Sequence, residues 1–328
     1  MAKKKNKGEV KKKSIADLKA DYSRPETRYI DTGIMPLNEL WGGGMPTGKV
    51  IEIYALEGVG KTTVVLQILE HMITNYGIKA AFKDIEHSLD ENLKHRVGVD
   101  KYEDDGEVPS FLHLNPASFE EIEEVMESVI DDYDVIVFDS LVATTTSGGI
   151  TDLQIGEKAR FQGNYLEKYR PLLARKGKTL IIINQMRENI SSFYAYTDRA
   201  GGRALKYYTD IVTGLKKVSK GEILNENNQR IGMTLQVGVV KNKVGMPFRY
   251  FNADLHFGKG IDKISAVTDI LIKKGICEKR GGYYTLPNSD QKVQGKEGLK
   301  DWIHKNFDQI NDIVESINLT GEIEEKDE

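Results

Sequence analysis

Lys61, Thr62, Glu86 and Asp139 are the residues whose types and spacing could do chemistry together. Lys61 and Thr62 close the run Ala55-Leu56-Glu57-Gly58-Val59-Gly60-Lys61-Thr62-Thr63, which follows the apolar segment Val50-Ile51-Glu52-Ile53-Tyr54. A strand, a glycine-bearing turn and a helix start are the parts of a phosphate-binding loop. Backbone N–H groups of the turn point at phosphate oxygens, Lys61 reaches the β- and γ-phosphates, and the Thr62 hydroxyl holds Mg2+. Glu57, Gly58, Val59, Gly60, Lys61, Thr62 and Thr63 are therefore the candidate nucleotide contacts. One position departs from the G-x-x-x-x-G-K-[ST] pattern: Ala55 stands where it begins with glycine.

Such a loop needs a carboxylate for the metal at the end of a neighbouring buried strand. Val135-Ile136-Val137-Phe138-Asp139 supplies one, so Asp139 joins Thr62 as a candidate Mg2+ ligand. Hydrolysis also needs a group to orient or deprotonate water. Glu86, in Asp84-Ile85-Glu86-His87-Ser88-Leu89-Asp90, follows another apolar strand and is the candidate base.

These residues demand a βαβ frame. The pattern predicts strands over 50–54, 80–85, 135–138 and 179–184, with helices over 62–76, near 119–131 and near 159–174. Runs such as Leu180-Ile181-Ile182-Ile183 are apolar without alternation, as in a mostly parallel central sheet covered on both faces. Beyond Ile211, alternating segments such as 233–240 suit antiparallel strands extending that sheet. From about Lys263 a helix, a hairpin turning at Gly281-Gly282 and a helix with Trp302 mark a small α+β C-terminal domain. The expected organisation is a basic arm plus N-terminal oligomerisation helix (1–30), an α/β ATPase core (31–262), the C-terminal domain (263–315) and an acidic tail (316–328). In the arm, Ile15, Leu18 and Tyr22 share one helical face behind Ser14, to be buried on this chain's own core or on a neighbouring subunit.

Composition narrows the class. The 328 residues suffice for a large core, and Cys277, the single cysteine, excludes an internal disulfide framework. The six histidines lack zinc spacing, and no stretch is apolar enough for a bilayer, so the expected location is the cytoplasm, with no membrane partner. Net charge is -4, but seven lysines fall among residues 3–13 while 322–328 is acidic. Such ends are either solvated tails or, functionally, an arm near DNA phosphates and a tail competing with DNA for a basic surface.

Taken together, Asp84-x-Glu86-His87-x-Leu89-Asp90, Val135 to Ser140, Ile183-Asn184-Gln185-Met186-Arg187, Gly201-Gly202-Arg203-Ala204-Leu205-Lys206, Val239-Val240-Lys241-Asn242-Lys243, Pro247-Phe248 and Gly258-Lys259-Gly260-Ile261 resemble the RecA recombinases, in one order from about residue 31 to 302. The resemblance implies a RecA-like P-loop ATPase core that uses ATP and Mg2+. It implies Glu86 as the water-activating glutamate, Gln185 as the γ-phosphate sensor and Asp90 as an adenine contact. It also implies Lys241 and Lys243 as lysines reaching across an ATP-bridged subunit interface; on the residues alone they could equally be surface charges. A cation supplied in trans makes hydrolysis depend on stacking into a helical filament.

The resemblance further implies two DNA-binding loops, at about 147–156 and 186–203. Ile155, Gly156 and Arg160 belong to the first. In the second, Arg187, Arg199 and Arg203 suit phosphates, Gly201 and Gly202 offer open backbone N–H groups, and Phe193 suits base stacking. Three departures bear on detail: Leu93 replaces a family tyrosine at the adenine, Glu188-Asn189 replaces an apolar-basic pair, and Glu167 replaces an arginine. The leading expectation is a DNA-dependent ATPase of recombination and DNA repair that forms filaments on single-stranded DNA and pairs it with a homologous duplex. The alternatives are an ATP-binding accessory paralogue without strand exchange, which Ala55 favours, and a ring-forming helicase on the same fold.

Overall fold

The computed structural model describes residues 14–15, 23–140, 155–186 and 202–316. The core starts with β1 (Tyr29–Ile30), helix α1 (Met35–Trp41) and β2 (Met45–Pro46), β1 pairing antiparallel with β2. The α/β alternation follows: β3 (Val50–Ala55), α2 (Lys61–Tyr76), β4 (Ala80–Asp84), α3 (Glu91–Val97), β5 (Phe111–Leu114), α4 (Phe119–Val129), β6 (Val135–Asp139), α5 (Ile155–Lys176) and β7 (Thr179–Gln185). After α6 (Gly202–Tyr208) come the long β8 (Ile211–Leu224) and β9 (Arg230–Asn242), then β10 (Arg249–His256) and β11 (Gly260–Ile261).

Among the described residues these strands form one nine-stranded sheet, in the order β11-β10-β9-β8-β3-β7-β6-β4-β5. From β5 to β8 all neighbours are parallel; β9, β10 and β11 extend the sheet antiparallel. Alternate residues divide between two cores. Ile51, Ile53, Phe82, Val137, Ile181 and Ile183 pack with α2, while Ala81, Ile136, Phe138, Leu180 and Ile182 pack with α4 and α5. Both faces are covered, which is why these strands lack polar alternation.

Parallel strands carry all their C-terminal ends to one edge, where ligands of open α/β sheets bind. The registers bring Asp84 beside Asp139 and Ala55 beside Gln185 at that edge. α5 runs from Ile155 to Lys176 with Pro171 inside it, extending past the predicted 159–174 at both ends.

α7 (Lys263–Lys273) begins where the Asp262 side chain accepts the Ile264 N–H at 2.9 Å. The strands β12 (Lys279–Arg280), β13 (Tyr283–Thr285) and β14 (Lys292–Gln294) form a small antiparallel sheet, followed by α8 (Gly295–Lys305) and α9 (Phe307–Ser316). These segments enclose their own apolar cluster, including Leu271, Cys277, Leu299 and Ile303. Among the described residues no helix is long and apolar enough to cross a membrane. Of the helix expected over 14–22 only Ser14 and Ile15 are described; Leu18, Tyr22, the basic arm and residues 317–328 of the acidic tail lie outside the described residues.

Candidate active site

The phosphate loop leaves β3, which is buried throughout. Gly58 and Gly60 adopt φ of 71° and 92°, in the left-handed region where a Cβ is strained. At Gly60 a Cβ would also come within 3.0 Å of the Leu255 side chain. Ala55 has no such demand: the non-glycine residues with positive φ among the described residues are His87, Lys220, Asn228, Phe248 and Asn288. Its methyl group is fully buried against the α2 side of the sheet. The alanine therefore leaves the turn intact. Lys61 folds back over the loop and donates from Nζ to the Leu56 carbonyl at 3.2 Å. Burial lowers its pKa, opposed by the carboxylates of Asp139, Glu86 and Glu57.

Thr62, in the first turn of α2 beside the end of β6, donates from Oγ1 to Asp139 Oδ2 at 2.6 Å. Asp139 is 2% exposed, and burial pushes its pKa up to about 6, with further upward pressure from Glu86 and Asp84 and relief from Thr62 and Lys61. Carboxylates crowded in low dielectric with one nearby lysine favour an added cation. Among the described residues no group of three or more His, Cys, Asp or Glu could hold a metal ion unaided. A hydroxyl and a single carboxylate are instead a donor set for Mg2+ that takes its remaining oxygens from water and phosphates.

Glu86 lies in the segment after β4, whose Ile85 and Glu86 N–H groups donate to the Asp139 carbonyl at 2.6 and 3.1 Å. Its Oε1 accepts from Ser140 Oγ at 2.5 Å, and Gln185 Nε2 donates to Oε1 and Oε2 at 3.0 and 3.1 Å. The structure thus brings Lys61, Thr62, Glu86, Asp139 and Gln185 together at one edge, although they are scattered over 125 positions of sequence.

The remaining candidates lie further out. Asp90 caps α3, its Oδ1 accepting the Leu93 N–H at 2.7 Å, so one carboxylate oxygen is already committed. Lys241 near the end of β9 and Lys243 just past it face α6 of their own subunit: Lys241 Nζ donates to the Lys206 carbonyl at 2.6 Å and Lys243 Nζ to the Tyr207 carbonyl at 3.3 Å, with Asp210 at 3.5 Å from the latter. Ile155 and Gly156 open α5, Arg160 lies exposed on it, and Gly202 and Arg203 open α6. Arg187, Phe193, Arg199 and Gly201 lie outside the described residues, as do 147–154 and 187–201 of the two loops.

Sequence reasoning did not single out Phe257, whose ring centre lies 5.7 Å from the Arg230 guanidinium carbon. It is 42% exposed in the turn between β10 and β11. Gln67 of α2 fastens this turn by two 2.8 Å bonds to the backbone of Ile261, and the Arg96 side chain of α3 packs at Gly258. An aromatic residue directly before Gly258-Lys259-Gly260 was the available signal.

Comparison with known proteins places these features in a family. The model of the RecA N-terminal domain matches residues 2–262. The protein RecA of Frankia alni is 35% identical over 305 residues, covering 90% of this chain and 85% of the relative. That of Salinispora tropica is 33% identical over 300 residues (89% and 83%), and that of Mycoplasma mycoides subsp. mycoides SC 34% over 288 residues (85% and 80%).

Proposed function

This chain belongs to the RecA family, and from that premise we propose that it is a recombinase whose ATP-bound subunits polymerise on single-stranded DNA, pair it with a homologous duplex and exchange strands. It acts in DNA recombination and repair, in the cytoplasm. The observation that carries this reading is the convergence of Glu86, Gln185, Ser140, Thr62 and Asp139 at the strand ends beside the phosphate loop. A protein that only bound nucleotide would need the loop but not the Glu86–Gln185 contact.

In the proposed mechanism the N–H groups of residues 57–63 hold the triphosphate and Lys61 leaves the Leu56 carbonyl for the β- and γ-phosphates. Thr62 and Asp139 would hold Mg2+, which would neutralise the developing charge on the phosphate oxygens. Glu86 activates water. Both its oxygens accept from Gln185. Turning the Gln185 amide to the γ-phosphate releases Glu86 for a water molecule. The same movement shifts the chain entering the second DNA loop at Met186, so nucleotide state and DNA contact are linked through one side chain. Phe257 offers an aromatic face for the base beside α3, compensating for Leu93, with Asp90 contacting its edge. Lys241 and Lys243 exchange the α6 carbonyls for a neighbour's phosphates on stacking, which restricts turnover to the filament.

DNA contact rests on Ile155, Gly156 and Arg160 in the first loop and Arg187, Phe193, Arg199, Gly201, Gly202 and Arg203 in the second. Phosphate contacts and stacking carry no base code, so binding is independent of sequence and falls steeply with salt. The test is strand exchange between circular single-stranded DNA and a homologous linear duplex. Joint molecules that require ATP and homology are expected; ATP-dependent DNA binding without joint molecules overturns strand exchange.

A further inference from the structure

We propose that Asn184 and Glu52 are positioning residues for Gln185, fixing the backbone from which its amide reaches Glu86. The inference deepens the functional reading above and rests on it for the role of Gln185. β7 is apolar from Leu180 to Ile183, and Asn184 continues it with a fully buried amide. A buried amide is costly unless its hydrogen bonds are made. Here both ends are used. Asn184 Nδ2 donates to Glu52 Oε1 at 2.8 Å, and Asn184 Oδ1 accepts the Gln185 N–H at 2.8 Å.

The order of these bonds matters. Glu52 lies on the neighbouring strand β3, itself fully buried, in register with Ile182 and so within reach of Asn184 two residues on. The Gln185 N–H can only donate, so it takes the Oδ1 end of the amide and leaves Nδ2 to donate to the Glu52 carboxyl group. A side chain that accepts from the next residue's own N–H restrains the strand exit just where the sensor side chain begins. One residue later the Met186 N–H donates to the Ala55 carbonyl at 3.0 Å, which ties the same exit to the first residue of the phosphate loop. Glu52, Asn184, Gln185, Glu86 and Ser140 thus form a continuous hydrogen-bonded row from the buried sheet to the candidate base.

The two bonds described for Asn184 run to Glu52 and to the Gln185 N–H rather than to the phosphate loop side chains, so its loss should uncouple turnover from nucleotide binding. The test compares Asn184→Ala, Asn184→Asp and Glu52→Gln with the parent chain. The readouts are single-stranded-DNA-stimulated ATP turnover, the Kd for a fluorescent ATP analogue, and hydrogen exchange at the Gln185 amide. Asn184→Ala should lose at least roughly tenfold in kcat while the Kd stays within about twofold. Its Gln185 amide should exchange faster. Asn184→Asp keeps the volume but loses the donor and faces Glu52 with a second carboxylate; it should show the same losses. Glu52→Gln still offers an acceptor to Asn184 and should retain kcat within about threefold. Unchanged kcat or unchanged exchange in both Asn184 variants overturns the proposal. So does a Kd that weakens in step with kcat, since that marks general loosening. A parent chain that hydrolyses no ATP would count against the recombinase reading instead, and the Gln185 exchange would still decide whether Asn184 holds that backbone.

Discussion

Replacing Lys83 by methionine should stabilise the core, and by an amount that depends on pH. Lys83 lies in β4 between Leu114 of β5 and Phe138 of β6, fully buried, with its Nζ 4.7 Å from the centre of the Phe138 ring. That Nζ has no hydrogen-bond partner among the described residues. Burial lowers its pKa from 10.5 to about 7. Tyr165, which packs edge-on against Phe138, has its hydroxyl pushed well upward by burial and stays neutral over the same range. Because the folded pKa lies below the unfolded one, the unfolded chain holds the extra proton between those values. Stability therefore rises with pH across that window and is lowest below it. The shift corresponds to ~4 kcal/mol of destabilisation near pH 7 and ~1 kcal/mol near pH 10, relative to a neutral side chain of similar length. Lys83→Met removes that cost and keeps most of the packing. The assay is denaturant unfolding at several pH values in a Trp302→Phe background, so that Trp41, fully buried in the α2-side core, reports alone. A gain near pH 7 that shrinks toward pH 10 is expected. A loss of stability, or a gain independent of pH, would refute the reasoning and mean that Lys83 is charged and paired.

Other perturbations act at the site itself. Lys61→Ala should remove hydrolysis, measured as phosphate release, because the group that reaches the γ-phosphate is gone. Ala55→Gly should change the Kd for ATP by no more than about threefold, since the backbone there needs no glycine; a large gain in affinity would show a partly disabled loop. Lys243→Met should leave nucleotide binding by isolated subunits unchanged and abolish DNA-stimulated turnover, as read by paired binding and turnover measurements. Equal turnover in both chains would place Lys243 outside the interface.

Much of this was legible in the sequence because apolar runs, glycine spacing and a strand-terminal carboxylate are local signals. The phosphate loop, β6 with Asp139 and the βαβ alternation could be read that way. The strand order could not, because a repeating pattern implies parallel pairing without saying that β7 and β6 stand between β3 and β4. Short helices were also missed: α1 and α3 are seven residues each and owe their ends to caps, Gly42 and Asp90 among them, rather than to amphipathic period. Asp90 shows how a functional reading hides a structural role, since one of its oxygens caps α3. Lys83 shows the reverse, a charge in a strand that periodicity cannot distinguish from an edge residue. The contacts of Lys241 and Lys243 on α6 follow from the antiparallel pairing of β8 and β9, a tertiary fact.

The account turns on Glu86 as the proposed base, hydrogen-bonded to Gln185. Its most direct test is ATP turnover with and without single-stranded DNA, for the parent chain and Glu86→Gln, together with electron microscopy of both. The account predicts DNA-stimulated turnover in the parent, at least roughly a hundredfold less in the variant, and ATP-dependent filaments on DNA in both. Closed rings, turnover indifferent to DNA, or a variant that loses filaments along with hydrolysis would contradict it.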